Sequence, residues 1–77
     1  MNLSSYSLNN KWFEFPKKPL DFLIYENGFV YANIIIETTD KKIVKGVYVL
    51  EVDIFYDNNG KSIKTKNIKR WKPIKTT

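Results

Sequence analysis

Residues 20–37 read LDFLIYENGFVYANIIIE, two runs of β-branched and aromatic residues on either side of Asn27-Gly28. A type I′ turn needs positive φ at both central residues, and Asn and Gly tolerate it, so this pair between two such runs is the strongest short-range hairpin signal. With Asn27 and Gly28 as the turn, Glu26 pairs with Phe29, Tyr25 with Val30, Ile24 with Tyr31 and Leu23 with Ala32. Strand alternation then puts Leu23, Tyr25, Val30, Ala32, Ile34 and Ile36 on one face as a continuous core. The other face carries Phe22, Ile24, Phe29 and Tyr31 and is hardly polar.

The pattern continues as strands. TTDKK at 38–42 is a polar turn, and IVKGVYVLEVDIFY at 43–56 reads as one long strand. In it Tyr48, Leu50, Val52, Ile54 and Tyr56 alternate with Val49, Glu51, Asp53 and Phe55. Gly46 within this run signals a bulge or sharp bend, which lets a small sheet curl. DNNG at 57–60 makes a further turn. With Asn59-Gly60 central, Tyr56 faces Ile63, Ile54 faces Thr65 and Asp53 faces Lys66, pairing opposite charges on the outer face. The last segment, KNIKRWKPI, has Ile68, Trp71 and Ile74 as apolar anchors, and Pro73 bars an interior strand position.

Upstream, KWFEFPKKP at 11–19 sets Trp12, Phe13 and Phe15 before two prolines that stop a helix and suit an extended lead into the sheet. Residues 1–10 lack a sustained period and read as a flexible arm, residues 11–75 as one β domain and residues 76–77 as a tail. The expected fold is all-β: a small antiparallel meander of four to five strands, too apolar on both faces for an open sheet in water. It should curl into an SH3-like barrel, the favoured form, pack its own ends over the exposed face, or dimerise through it.

Seventy-seven residues bury limited surface, which implies a stability of roughly 4 to 11 kcal/mol and little room for a deep pocket. Cysteine and histidine are both absent, which removes disulfides, thiolate chemistry, the commonest metal ligand and the one side chain that titrates near neutrality. No cofactor or metal is expected. Glu51 and Asp53, two apart on the presumed strand, would share a face as acid–base chemistry requires. A salt-bridged outer surface opposite Lys66 is the better reading of them, so no catalytic residue is assigned. The opening MNLSSYSLNN has no basic region and no apolar run, and no stretch approaches the length of a spanning helix, so a cytoplasmic protein without a membrane partner is expected.

Charge is segregated. The first sixty residues carry six lysines against eight acids, a net of −2, whereas residues 61–77 carry +7 with no acid. Lys64, Lys66, Lys69, Arg70 and Lys72 around Trp71 are therefore a candidate surface for a partner protein or for DNA or RNA, phosphates taken by the cations and a base stacked on Trp71 or Tyr48. Lysines of this kind on an exposed edge strand also block sheet-to-sheet aggregation, and a tryptophan there also serves as a core lid. Twelve aromatics exceed what one small core accommodates, which makes Phe22, Phe29, Tyr31 and Phe55 a candidate interaction patch unless the arm and the Trp12 segment cover them.

KWFEFPKKPLDFLIYENGFVY followed by FYDNNGKSIKTKNIKRWKPI resembles a family of short phage and prophage proteins of unknown function. These open with a tryptophan and a proline before a strand hairpin, and close with a glycine turn, a strand and His-Trp-x-Pro. Trp12, Pro16, Gly60, Trp71 and Pro73 fit that order, while Arg70 stands where histidine is usual and Ile74-Lys75 replaces Leu-Pro. The Lys-, Asn- and Ile-rich, Ala- and Arg-poor composition agrees with AT-rich coding DNA of a low-GC bacterium or its phage. The resemblance implies a non-enzymatic protein of a mobile element that docks on and inhibits a host protein or ribonucleoprotein complex, in the manner of anti-CRISPR factors. A basic nucleic-acid-binding β-barrel and a structural or ligand-binding homo-oligomer, the simplest form a homodimer, are the alternatives.

Overall fold

The computed structural model describes residues 11–74; the expected arm at 1–10, Lys75 and the tail at 76–77 lie outside the described residues. Among the described residues seven strands form: β1 (Phe13–Glu14), β2 (Ile24–Glu26), β3 (Phe29–Thr38), β4 (Ile43–Val49), β5 (Ile54–Asp57), β6 (Ser62–Ile63) and β7 (Ile68–Pro73). Two single 3₁₀ turns, Leu20–Phe22 and Thr65–Asn67, precede β2 and β7. All pairings are antiparallel, in the order β1-β7-β3-β4-β5-β6, with β2 beside β7 on the same side of β3. The chain is thus all-β, with more and shorter strands than the expected four or five.

The Asn27-Gly28 hairpin forms in the register its sequence dictates, Ile24 to Tyr31, Tyr25 to Val30 and Glu26 to Phe29. Both turn residues take positive φ, 53° and 82°. The ten-residue β3 that follows is the spine of the sheet, paired along one side with β4 and along the other with β2 and then β7. The favoured closed barrel does not form, since β1 and β6 end the ladder without pairing. The sheet curls nonetheless, because β6 lies on β5 while β7, only a 3₁₀ turn later, lies on the far side of β3.

The long strand expected over 43–56 is two strands. Leu50–Asp53 turn the chain back, with the Asp53 N–H donating to the Val49 carbonyl at 2.9 Å and Asp53 at φ 57°. This hairpin pairs Val49 with Ile54 and Tyr48 with Phe55, so Tyr48 and Phe55 share the inner face. The next turn departs from expectation by one residue. Asn58-Asn59-Gly60 make a three-residue loop whose Gly60 sits at φ 82°, and Phe55, not Tyr56, faces Ile63. The Asp57 carboxylate fixes this choice by accepting from the Asn59 and Lys61 N–H groups, each at 2.9 Å. A one-residue slip exchanges the faces of a strand, and with Phe55 already inward beside Tyr48 this one keeps Ile63 on the inner face.

The inner face holds Ala32, Ile34, Ile36, Tyr48, Phe55, Ile68 and Trp71, all buried, with Phe13, Phe15, Phe22, Leu23, Val44 and Ile63 packed around them. Trp71 stacks on Phe13 at 4.8 Å and meets the edge of Phe22 at 6.0 Å, while Phe55 contacts Tyr48 at 4.9 Å and Phe15 at 5.9 Å. Of the expected first-hairpin core face, Ala32, Ile34 and Ile36 are buried, but Tyr25, on the short β2, is 75% exposed. The Pro16–Pro19 loop covers the open end: the Trp71 indole N–H donates to the Lys17 carbonyl at 2.6 Å, and Pro19 is fully buried. The chain therefore covers its own inner face.

Two local features shape this core. Gly46 is neither a bulge nor a bend; it faces inward opposite Asp57, where an added Cβ would fall 2.3 Å from the Tyr56 carbonyl oxygen and 3.0 Å from Ile36. Only a residue without a side chain admits β5 so close. In β7 the register shifts between Glu37 and Thr38, whose partners are Arg70 and Ile68. The extra residue, Lys69, is exposed, and Ile68 regains the interior.

Candidate functional site

Outward-facing positions follow from the same register. Reading across the sheet, Lys72, Ile35 and Lys45 form one row, Glu14, Arg70, Glu37 and Ile43 a second, and Asn33, Val47 and Tyr56 a third. Trp12, one residue before β1, lies at the β1 end of the first row. Its half-buried ring has the Arg70 guanidinium carbon 4.6 Å and the Lys72 ammonium 4.9 Å from its centroid. Such contacts hold an aromatic ring and two cations in fixed relation on an open surface.

Arg70 is anchored from its other side. Its Nε donates to the Glu37 carboxylate, and Glu37 is 9% exposed, the single charged residue counted as buried among the described residues. Arg70 therefore neutralises a buried acid and packs on Trp12 at once. Among the described residues Lys72 and Lys45 have no acid within ion-pair distance, which leaves them the outward charges of the row.

The residues singled out from sequence do not form one site. Trp71 is 0% exposed and is a core lid, so it stacks no base; Tyr48, at 2%, does not either. Arg70 and Lys72 lie on the outer face, Lys69 is the exposed bulge residue, Lys64 caps the second 3₁₀ turn and Lys66 lies within it. The aromatic patch separates likewise. Phe55 is buried at 1%, Phe22 packs on Trp71 and Phe13, Phe29 is 60% exposed, and Tyr31 is half-buried with its hydroxyl donating to Glu26 at 2.6 Å. That hydrogen bond pushes the Tyr31 phenol above its ordinary range.

Lys64 and Lys66 line an open groove of about 660 Å³ with Lys42, Asp40, Val44, Ile63 and the Thr38–Thr39 corner. The Thr38 hydroxyl donates to Asp40 and, with Lys42 nearby, holds that carboxyl below the usual range.

The carboxylate pair read from sequence is dissolved by the turn. Glu51 is an exposed turn residue, and Asp53 bonds Lys18 Nζ at 2.6 Å, not Lys66, while accepting from the Tyr48 hydroxyl at 2.5 Å. Lys18 and then Tyr48 hold the Asp53 carboxyl down; burial, reinforced by Asp53, pushes Tyr48 up to about 12. The three side chains tie the Leu50–Asp53 turn to the proline loop, a structural task.

Trp12 was missed as a surface residue because the sequence offers two tryptophans near basic residues and no means of telling which lies inside. The available signal was alternation. Phe13 is the residue that faces Trp71, so its neighbour Trp12 must face out.

Fold and surface together define a small, open, curled β domain with a cation-flanked tryptophan on its outward face. No family model, curated protein or solved structure matches the chain. Among the described residues no helix is long and apolar enough to cross a membrane.

Proposed function

We propose that this chain is a non-enzymatic binding protein of phage or mobile-element origin that docks on a nucleic-acid-bearing protein complex of its bacterial host and inhibits it. The observation that carries the reading is the outward cluster of Trp12, Arg70 and Lys72, continued across the sheet by Ile35 and Lys45. Tryptophan and arginine dominate the energetics of interfaces, and a preordered pair of this kind costs little side-chain entropy on docking. Net positive charge favours a polyanionic complex over an average protein surface and speeds the encounter. The phage origin rests on the resemblance of the two ends of the chain and on its composition.

The test is expression in a bacterium that carries a nucleic-acid-targeting defence, challenged with a phage that the defence restricts. The intact protein should restore plaque formation and retain the defence complex on an affinity column. A variant carrying Trp12→Ala and Lys72→Glu, shown by circular dichroism to be folded, should do neither. Failure of the intact protein across a panel of such defences, with no complex retained, would remove the proposal.

A further inference from the structure

The outer face also specifies a ligand chemistry. From its aromatic and basic rows we infer that it binds single-stranded nucleic acid directly, with Trp12 and Tyr56 as stacking positions and Lys72 and Lys45 as phosphate contacts. This rests on the docking reading above and names what that surface touches.

Three observations converge. First, the described residues outside the core include Trp12 and Tyr56, both half-buried on the same outward face, which leaves ring surface open to solvent. Base–aromatic stacking is indifferent to sequence and needs only such a platform. Second, the cations lie among the rings. Lys72 sits 4.9 Å from the Trp12 centroid and faces Lys45 across Ile35, while Tyr56 lies one row on, opposite Val47. Trp12 at the β1 end and Tyr56 on β5 are four inter-strand gaps apart, about 19 Å at ordinary strand spacing. That span suits a strand of about four nucleotides, the short end of site sizes on small β domains. Third, the face's acids stand outside the first row, Glu14 and Glu37 in the second and Glu26 on β2, where it accepts from the Tyr31 hydroxyl. Glu37 is neutralised by Arg70, and Glu14 stands at the far side of Arg70, away from Lys45 and Tyr56.

The geometry disfavours a duplex. A convex curled sheet presents no helix or ribbon to enter a major groove, whereas splayed bases reach flat rings on a β surface. Lys64 and Lys66 belong to the groove beside the second 3₁₀ turn and not to this row, so they serve as a control.

The experiment is a titration of the full chain with labelled oligo(dT), oligo(U) and a mixed-sequence duplex from low to physiological salt. Anisotropy and tryptophan emission are recorded together. Trp71 is sealed in the core, so quenching by a single strand reports Trp12. Single strands should bind more tightly than the duplex and quench emission. Trp12→Ala should weaken binding about 5- to 150-fold, from the usual worth of one stacked base. Lys45→Glu with Lys72→Glu should weaken it further and flatten the slope of log K against log salt by about 1.4, the share of two phosphate contacts on a single strand. Lys64→Glu with Lys66→Glu should leave quenching intact.

Absence of binding at low salt, or binding that prefers duplex and is lost only in the Lys64, Lys66 variant, overturns the inference. The two proposals remain separable by nuclease treatment. A host complex retained after its nucleic acid is digested, with no affinity for free strands, would leave the docking reading standing through protein contact alone. Loss of both would remove both.

Discussion

The two tryptophans sit on opposite faces of the same corner of the sheet and do opposite work. Trp71, on β7, is stacked on Phe13, edged by Phe22 and tied to the Lys17 carbonyl, with nothing left for solvent. Trp12, next to Phe13 on the other face, keeps company with Arg70 and Lys72. Both neighbourhoods are basic in sequence. What separates them is parity along a strand, which seals one ring in the core and leaves the other on the outward face.

The sharpest way to break the contrast is to truncate the inner ring. Trp71→Ala removes the largest buried side chain and leaves its carbonyl partner unsatisfied, so the expected loss is about 3 to 5 kcal/mol. Against a total of roughly 4 to 11 kcal/mol for a chain of this size, the variant should lose a third or more of its stability and unfold outright at the low end of that range, read by urea titration of circular dichroism.

Gly46→Ala attacks the same face without touching an aromatic residue. The added methyl meets a backbone carbonyl oxygen at 2.3 Å, so β5 must move off β4, and the cost is about 3 kcal/mol, the upper end of overpacking effects. A midpoint within a few tenths of a kcal/mol of the parent would show that the strands are not held so close. Gly46 illustrates a limit of sequence. Its presence in a strand was evident, but whether it served a bulge or a close approach depended on β5, whose position the sequence misread.

That misreading has a physical cause. Asn27-Gly28 could be placed because positive φ at two successive positions is a local demand that few pairs meet. Leu50–Asp53 contains no glycine, proline or asparagine, and its left-handed residue, Asp53, is held by partners distant in sequence, Lys18 above all. In DNNG the same Asn-Gly suits a two-residue or a three-residue loop, and the Asp57 carboxylate decides. The undetected turn, which pairs Phe55 with Tyr48, accounts for Phe55 being expected outside and found inside, and the slipped register sets Ile63 beside it. The charge segregation was legible as a sum, but its division among a bulge, a groove and an outward row belongs to tertiary structure.

Arg70 joins the two faces' concerns. Arg70→Ala removes a cation from Trp12 and leaves Glu37 nearly buried without its partner, an expected loss of about 1 to 3 kcal/mol, moderated because the arginine is partly solvated. Adding Glu37→Gln should restore part of the stability but none of the binding. Recovery of binding in the double variant would mean that Arg70 acts on ligand only through the fold.

The Asp53 constellation gives a pH signature. Its carboxyl is held down in the folded chain, so its stabilising effect is present above the ordinary carboxylate range and is lost as pH falls through the depressed value. Tyr48 is raised from 10.0 to about 12, so its contribution is complete below pH 10.0 and is lost as pH rises through about 12. Thermal midpoints should therefore decline at both extremes. Asp53→Asn should flatten the acid limb and lower the pH at which Tyr48 titrates by absorbance; an unchanged titration would separate the two groups.

The smallest expected effect on stability decides what the outer face is for. Trp12→Ala removes ring contacts with two partly solvated cations and no part of the buried core, so it should cost no more than about 1 kcal/mol. Arg70 keeps its bond to Glu37 without the ring, and Lys72 gains freedom, which offsets part of the loss. A ring kept for stability would show its effect in the urea midpoint and lose binding only in proportion to unfolding. A ring kept for recognition would leave the midpoint nearly in place while host-complex capture and strand affinity fall together. A loss approaching that of Trp71→Ala would make both tryptophans structural and place the binding surface elsewhere, the lysine-lined groove beside the second 3₁₀ turn being the next surface to vary.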